Sequence, residues 1–130
     1  MFTSLAAFSG FSVKDLSKAK KFYTDVLGLT VVEEKGMGLQ LNLPQGGQVF
    51  VYDKANHVPA TYTILNFVVE NIDDAVEELT KKGVTFEQYH MKEMPQDEKG
   101  ILRGLAAHMG PDIAWFLDPA GNIFAILQEK

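Results

Sequence analysis

Residues 11–19 read FSVKDLSKA, and residues 67–75 read FVVENIDDA. Phe, Val, a polar capping residue, a branched apolar residue and Ala recur at the same spacing in the two stretches. Each copy reads as the end of an apolar strand, an N-cap at Asp15 or Asn71, and the first turn of an amphipathic helix. A strand–helix unit that is repeated in each half of a small chain predicts a duplicated fold.

The same order of elements, strand, helix and three strands, extends through both halves. In the first half the pattern predicts strands at 5–13, 30–34, 37–43 and 48–53 and a helix from Asp15 to Gly28. In the second half it predicts strands at 62–69, 85–91, 112–117 and 122–128, a helix from Asn71 to Gly83 and a loop at 93–100, and it leaves 101–108 ambiguous. We therefore predict a single α+β domain, 1–130, made of module 1 (1–55) and module 2 (60–130).

Composition excludes several classes of function. The chain has 130 residues, a formal charge of −5 and a pI near 5.1, and its Lys and Arg residues form no basic stripe, so we expect no nucleic-acid partner. It has no cysteine, which excludes disulfides and thiolate chemistry. Its first residues do not resemble a signal peptide, and no apolar run has the length of a membrane span. We expect a cytoplasmic protein without a membrane partner.

Two motifs resemble the opening and closing signatures of the vicinal oxygen chelate superfamily. The opening motif is formed by VKDL at 13–16, FY at 22–23 and VLGL at 26–29, and the closing motif by AWF at 114–116 and DPAGN at 118–122. That superfamily covers glyoxalase I, bleomycin resistance proteins, extradiol dioxygenases and fosfomycin resistance enzymes. The resemblance implies two βαβββ modules that form a cup-shaped mixed sheet with helices outside. It also implies a ligand on the concave face and a homodimer.

In the metalloenzymes of that superfamily, four inward-facing His, Gln or Glu side chains bind one divalent ion, and the resemblance assigns each of the four positions to a residue here. They fall on Phe8, Ile64 and Ala125, and on Val51 with a less certain register. None of these side chains can bind a cation, and Gln48 is the only donor nearby. The sequence therefore argues for the fold but against a metal or other cofactor.

The remaining polar and aromatic residues allow both a structural and a functional interpretation. Asn66 lies in an otherwise apolar strand, where a buried amide needs a hydrogen-bond partner in the protein or in a ligand. Trp115 fits a core position or a cavity wall, and Tyr62 and Tyr89 fit core, rim or ligand contact equally well. The roles of His57, His90 and His108 stay open. Lys99 and Arg103 fit either a surface loop or a lid over the cup.

We predict that the protein binds a small organic molecule in an apolar cup without a metal, as in the bleomycin resistance type. The predicted ligand-binding residues are Phe8, Phe50, Val51, Tyr52, His57, Ile64, Asn66, Trp115 and Ala125. One alternative is a metal-dependent glyoxalase-like lyase, isomerase or dioxygenase with a non-standard site. Another is a structural or partner-binding module whose cavity is filled by side chains.

Overall fold

The first half of the chain forms a four-stranded mixed sheet with one helix. A computed structural model describes residues 1–93 and 95–130, and it divides the chain into two units, Met1–Pro59 and Ala60–Lys130. The elements of the first unit are β1 (Ser9–Val13), α1 (Leu16–Lys21) with a π-helical continuation (Phe22–Val26), β2 (Thr30–Glu34), β3 (Gly38–Asn42) and β4 (Gln48–Asp53). The strand order is β1-β4-β3-β2, with β1 parallel to β4 and the other neighbours antiparallel.

The second unit repeats this arrangement. Its elements are β5 (Thr63–Val68), α2 (Ile72–Lys81), β6 (Leu102–Arg103), β7 (Asp112–Leu117) and β8 (Ile123–Gln128). The strand order is β5-β8-β7-β6, again with the first pair parallel and the others antiparallel. Because order and direction agree strand by strand, the structure confirms the predicted α+β fold with two βαβββ modules.

The two helices start in the same way, as the repeated sequence predicts. Asp15 has φ −136° and ψ 109°, and its side chain accepts a hydrogen bond from the Lys18 N–H at 3.1 Å. Asn71 has φ −136° and ψ 110°, and its side chain accepts one from the Asp74 N–H at 3.0 Å. Each bond satisfies one of the free N–H groups of a first helical turn. The N-caps at Asp15 and Asn71 therefore fix the residue at which each helix begins after its strand.

In each unit one sheet face packs against the helix and forms the core. The side chains on these helix-covered faces are nearly inaccessible to water, which makes apolar burial the main stabilising contribution. They are Val13, Leu39, Leu41 and Val51 with Ala19 and Tyr23 in the first unit, and Ala114, Phe116, Phe124 and Ile126 with Ile72 and Val76 in the second. The opposite face of each sheet, called the helix-free face below, carries the partly exposed side chains.

Two of the predicted strands differ from the observed ones. The first strand begins at Ser9, because residues 1–8 are exposed and make no ladder. The predicted strand at 85–91 is wrong: only Phe86 forms an isolated bridge, with Phe116. Beyond that bridge the backbone is held by a side chain, since Gln96 accepts a hydrogen bond from the Tyr89 N–H at 2.7 Å and donates one to the Glu87 carbonyl at 2.8 Å. The predicted loop at 93–100 includes Met94, which lies outside the described residues.

Candidate functional site

The helix-free face of the first sheet combines aromatic and amide side chains. Phe50 and Tyr52 point to this face from β4, and their rings stack with centroids 6.2 Å apart at 21°. Gln40, which pairs with Phe50 across the ladder, donates a hydrogen bond to Asn42 at 2.9 Å. Aromatic faces beside amides can bind a flat organic molecule through stacking and hydrogen bonds.

His57 joins this first face through Ser12. Ser12 lies opposite Tyr52 in the ladder between β1 and β4, and its Oγ lies 2.6 Å from His57 Nδ1. Both side chains are partly buried. The connector after β4 therefore returns over the end of the sheet, and it brings the predicted residue His57 to the same face as Phe50 and Tyr52.

Val51 does not share the helix-free face, which corrects the sequence prediction. Its side chain is 0% exposed, and its ladder partners are Phe11 of β1 and Leu39 of β3. Successive side chains of a strand point to opposite sides of the sheet, so Phe50, Val51 and Tyr52 cannot all line one cavity. Val51 belongs to the core beneath α1.

The helix-free face of the second sheet brings together three of the predicted residues. Asn66, Ala125 and Trp115 are ladder neighbours on β5, β8 and β7. Asn66 is exposed, so its amide does not need the buried partner that the sequence analysis anticipated. Ala125 is 0% exposed even on this face, so it leaves no free volume for a larger side chain. Trp115 donates its indole N–H to Thr63 Oγ1 at 3.1 Å.

An aromatic hollow of about 260 Å³ lies on this face, lined by Thr61, Tyr62, Thr63, Tyr89, Met91, Trp115 and Ile123. The rings of Tyr89 and Trp115 form two of its walls, with centroids 5.4 Å apart and an interplanar angle of 69°. Burial raises the pKa of the Tyr89 phenol, and the nearby Glu87 carboxylate raises it further. Met91 is a lining residue that sequence reasoning missed, because its segment was interpreted as a regular strand.

The positions that hold metal in the superfamily carry no donor atoms here. Phe8 precedes β1 and is 70% exposed, Ile64 lies at the register shift of β5, and Ala125 is the buried residue described above. Within residues 1–93 and 95–130, no three His, Asp or Glu side chains cluster so that they could hold a metal ion. The residues present therefore do not fit the superfamily's metal site.

The other polar candidates, Lys99, Arg103, His90 and His108, are not among the residues that line the hollow. Arg103 pairs with Asp73 of α2 at 2.8 Å, and Lys99 contacts the same carboxylate at 3.3 Å. Both cations therefore lie on the helix-covered side of the sheet. On that side Lys99 borders a second hollow of about 570 Å³, in which Lys81 also pairs with Glu77 at 3.2 Å. Its lining carries the carboxylates of Asp73, Glu77 and Glu98 beside the ammonium groups of Lys81 and Lys99. His90 and His108 are exposed residues with positive φ, 52° and 56°.

Two βαβββ units, each with a helix on one face of its sheet, are the architecture that the resemblance to the vicinal oxygen chelate superfamily implies. The chain belongs to the Glyoxalase/Bleomycin resistance protein/Dioxygenase superfamily, whose family model matches residues 6–126. This confirms the family that the two sequence motifs resemble. None of the helices in the described part of the chain is long and apolar enough to cross a membrane.

Solved structures of the same fold carry different functions. A superfamily member from Sphaerobacter thermophilus is 26% identical, with a TM-score of 0.65 over 96% of this chain and 98% of that one. An antibiotic binding protein from a Streptomyces species is 19% identical, with a TM-score of 0.64 over 99% and 100%. The fosfomycin resistance protein FosX from Listeria monocytogenes is 15% identical, with a TM-score of 0.68 over 100% and 96%. Fold alone therefore does not decide the function.

Proposed function

We propose that this protein binds a small, mostly apolar organic molecule on the helix-free face of its second sheet, without a metal ion. The observation that carries the proposal is the hollow of about 260 Å³ whose walls are the rings of Tyr89 and Trp115. Small-molecule sites are concave and mostly apolar, with a few polar groups that orient the ligand. Asn66 and Thr63 provide such groups at the same face. The similarity to an antibiotic binding protein supports a binding role.

The chemistry of the superfamily's ligand positions favours binding over metal catalysis. Phe8, Ile64 and Ala125 offer hydrocarbon where a divalent ion needs oxygen or nitrogen donors. The fourth metal-ligand position supplies no donor either, because Val51 points into the core and its neighbour Phe50 also lacks a donor atom. These positions therefore offer no ligand set for a metal-dependent step.

The binding proposal predicts that affinity is independent of divalent metal. We expect the chelator-treated protein to bind the neutral dye Nile red as tightly as the untreated protein. Tyr89→Leu should weaken binding about tenfold, because one aromatic wall is lost. The measurement is a titration followed by dye emission, with elemental analysis of both samples. Met37→Leu, at an exposed position outside the hollow, is the control and should bind normally.

Two outcomes would contradict this proposal. A stoichiometric transition metal, together with binding or glyoxalase activity that a chelator abolishes and metal restores, would favour the metalloenzyme alternative. Failure of every neutral probe to bind would favour the structural-module alternative.

We also expect a homodimer in the cytoplasm. The superfamily resemblance suggests the dimer, and the exposed side chains of Phe2, Leu5 and Phe8 before β1 support it as apolar surface available for an interface. Light scattering at ~10–100 μM should give twice the chain mass of 14.4 kDa. A mass of one chain over that whole range would count against the dimer.

A further inference from the structure

The aromatic hollow has walls suited to a positively charged group. The Tyr89 and Trp115 rings meet at 69° with centroids 5.4 Å apart, so a group placed in their corner lies near the π-face of at least one ring. The lining also includes a third aromatic residue, Tyr62, and the polarizable sulfur of Met91. Aromatic faces carry negative potential and attract ammonium groups within about 6 Å of a ring centroid.

The hollow offers little to an anion. None of its described lining residues is Lys or Arg. The indole N–H of Trp115 is already bonded to Thr63 Oγ1 at 3.1 Å. An anionic ligand would therefore lose its hydration without gaining a charged partner.

A carboxylate, that of Glu87, lies close to the aromatic walls of the hollow. The Glu87 carboxylate is close enough to the Tyr89 phenol to raise the pKa of that group. The Glu87 N–H donates to the Trp115 carbonyl at 2.8 Å, which sets this residue directly beside the aromatic walls. The chain as a whole carries a formal charge of −5, so both the local and the total charge attract cations.

The aromatic corner is held in place by a side chain. The Gln96 amide accepts from the Tyr89 N–H at 2.7 Å and donates to the Glu87 and Gly100 carbonyls at 2.8 and 2.6 Å. These three bonds fix the backbone on both sides of the segment that carries Tyr89. A preformed corner loses less conformational freedom when a ligand binds.

We propose that the hollow binds an organic cation, an alkylated ammonium group attached to an apolar body, in preference to neutral or anionic molecules of the same shape. This inference rests on the proposed function and specifies its ligand class. The selectivity comes from the faces of Tyr89 and Trp115 and from the carboxylate of Glu87. The apolar body would lie along the exposed hydrocarbon of the same sheet face.

The test compares three probes that share one shape and differ in charge: benzyltrimethylammonium, its neutral isostere neopentylbenzene, and the anion phenylmethanesulfonate. Each displaces Nile red from the wild-type protein in a competition titration. We expect the cation to bind about tenfold more tightly than the neutral isostere, and the anion to bind most weakly.

Three variants locate the source of the preference. Tyr89→Leu should reduce the cation's advantage to about twofold or less while the neutral probe still binds, since an aliphatic wall has no quadrupole. Glu87→Gln should weaken the cation alone, by about threefold at low salt. Glu77→Gln removes an equal charge on the helix-covered side, so it is the matched control and should change nothing.

The outcomes separate this inference from the proposed function. Equal affinities for cation and neutral isostere in the wild-type protein would overturn the cation preference and leave small-molecule binding intact. A cation preference that survives in Tyr89→Leu and Glu87→Gln would overturn the assignment to this hollow. If neither Nile red nor any probe binds, the proposed function fails together with the inference.

Discussion

Replacing Arg103 by Met is expected to lower the free energy of unfolding by about 2–3 kcal/mol. The guanidinium donates to both carboxylate oxygens of Asp73, at 3.0 and 2.8 Å, and to Asp97 at 3.1 Å. Without it, the carboxylates of Asp97 and Asp112, whose side chains are 23% and 11% exposed, lose their shared cation. The expected loss is smaller than for a fully buried pair because Arg103 itself is 37% exposed.

Urea denaturation, followed by the emission of Trp115, measures this loss. Lys99→Met is the matched control, since Lys99 contacts the same Asp73 carboxylate through one bond of 3.3 Å and is 51% exposed. We expect that variant to lose less than about 0.5 kcal/mol. Equal losses in the two variants would show that the Arg103 network has no special importance for stability.

The same network makes stability depend on pH. The hydrogen bonds from Arg103 are the main cause that lowers the pKa of Asp73 from 3.8 to about 2. Because the folded-state pKa lies below the unfolded one, the stabilisation is fully present above about pH 4 and is lost as the pH falls toward 2. In Arg103→Met this part of the pH dependence should flatten, and an unchanged profile would contradict the assignment.

Replacing Asp118 by Ala is expected to lower the free energy of unfolding by about 3 kcal/mol. Asp118 turns the chain between β7 and β8: its Oδ1 accepts from the Ala120 and Asn122 N–H groups, both at 2.9 Å, and its Oδ2 accepts from Asn122 Nδ2 at 3.0 Å. Asp118 and Asn122 are 4% and 2% exposed. Donors buried to this degree lose more than the bond itself when their acceptor is removed.

Asp118→Asn is the matched variant for this turn. Its side-chain oxygen can still accept from both backbone N–H groups, while its amino group replaces the second oxygen and faces the Asn122 amide. We expect a loss of about 1 kcal/mol, measured by the same urea denaturation. If the Ala and Asn variants were equally stable, the backbone hydrogen bonds of the turn would not be the source of its stability.

Local signals predicted the features of this fold that depend on neighbouring residues. The caps at Asp15 and Asn71 and the C-terminal glycines at 28 and 83 act within one helical turn, and the structure confirms all four. The repeat predicted the duplication of the fold because each copy contains a complete strand–helix junction. A pattern read over a few residues is sufficient wherever the stabilising contact spans only a few residues.

Long-range register explains what the sequence could not predict. The position of Val51 depends on which residue of β3 it pairs with, and a shift by one residue exchanges the two faces. The aromatic hollow depends on Tyr89 approaching Trp115, which no spacing in the chain indicates. The pairing of Arg103 with Asp73 likewise joins residues that the fold, and not the sequence order, brings together.

The hydrogen bonds of the Gln96 amide affect where the sequence of this fold can change in length. A residue inserted into a strand exchanges the two faces of the ladder beyond it unless a bulge absorbs the shift, whereas the ends of the segment between Tyr89 and Gln96 are joined by side-chain amides. Insertions or deletions there can move an aromatic wall without shifting any strand. Ligand preference can therefore drift between descendants of one ancestral chain while the sheet that supports it stays the same.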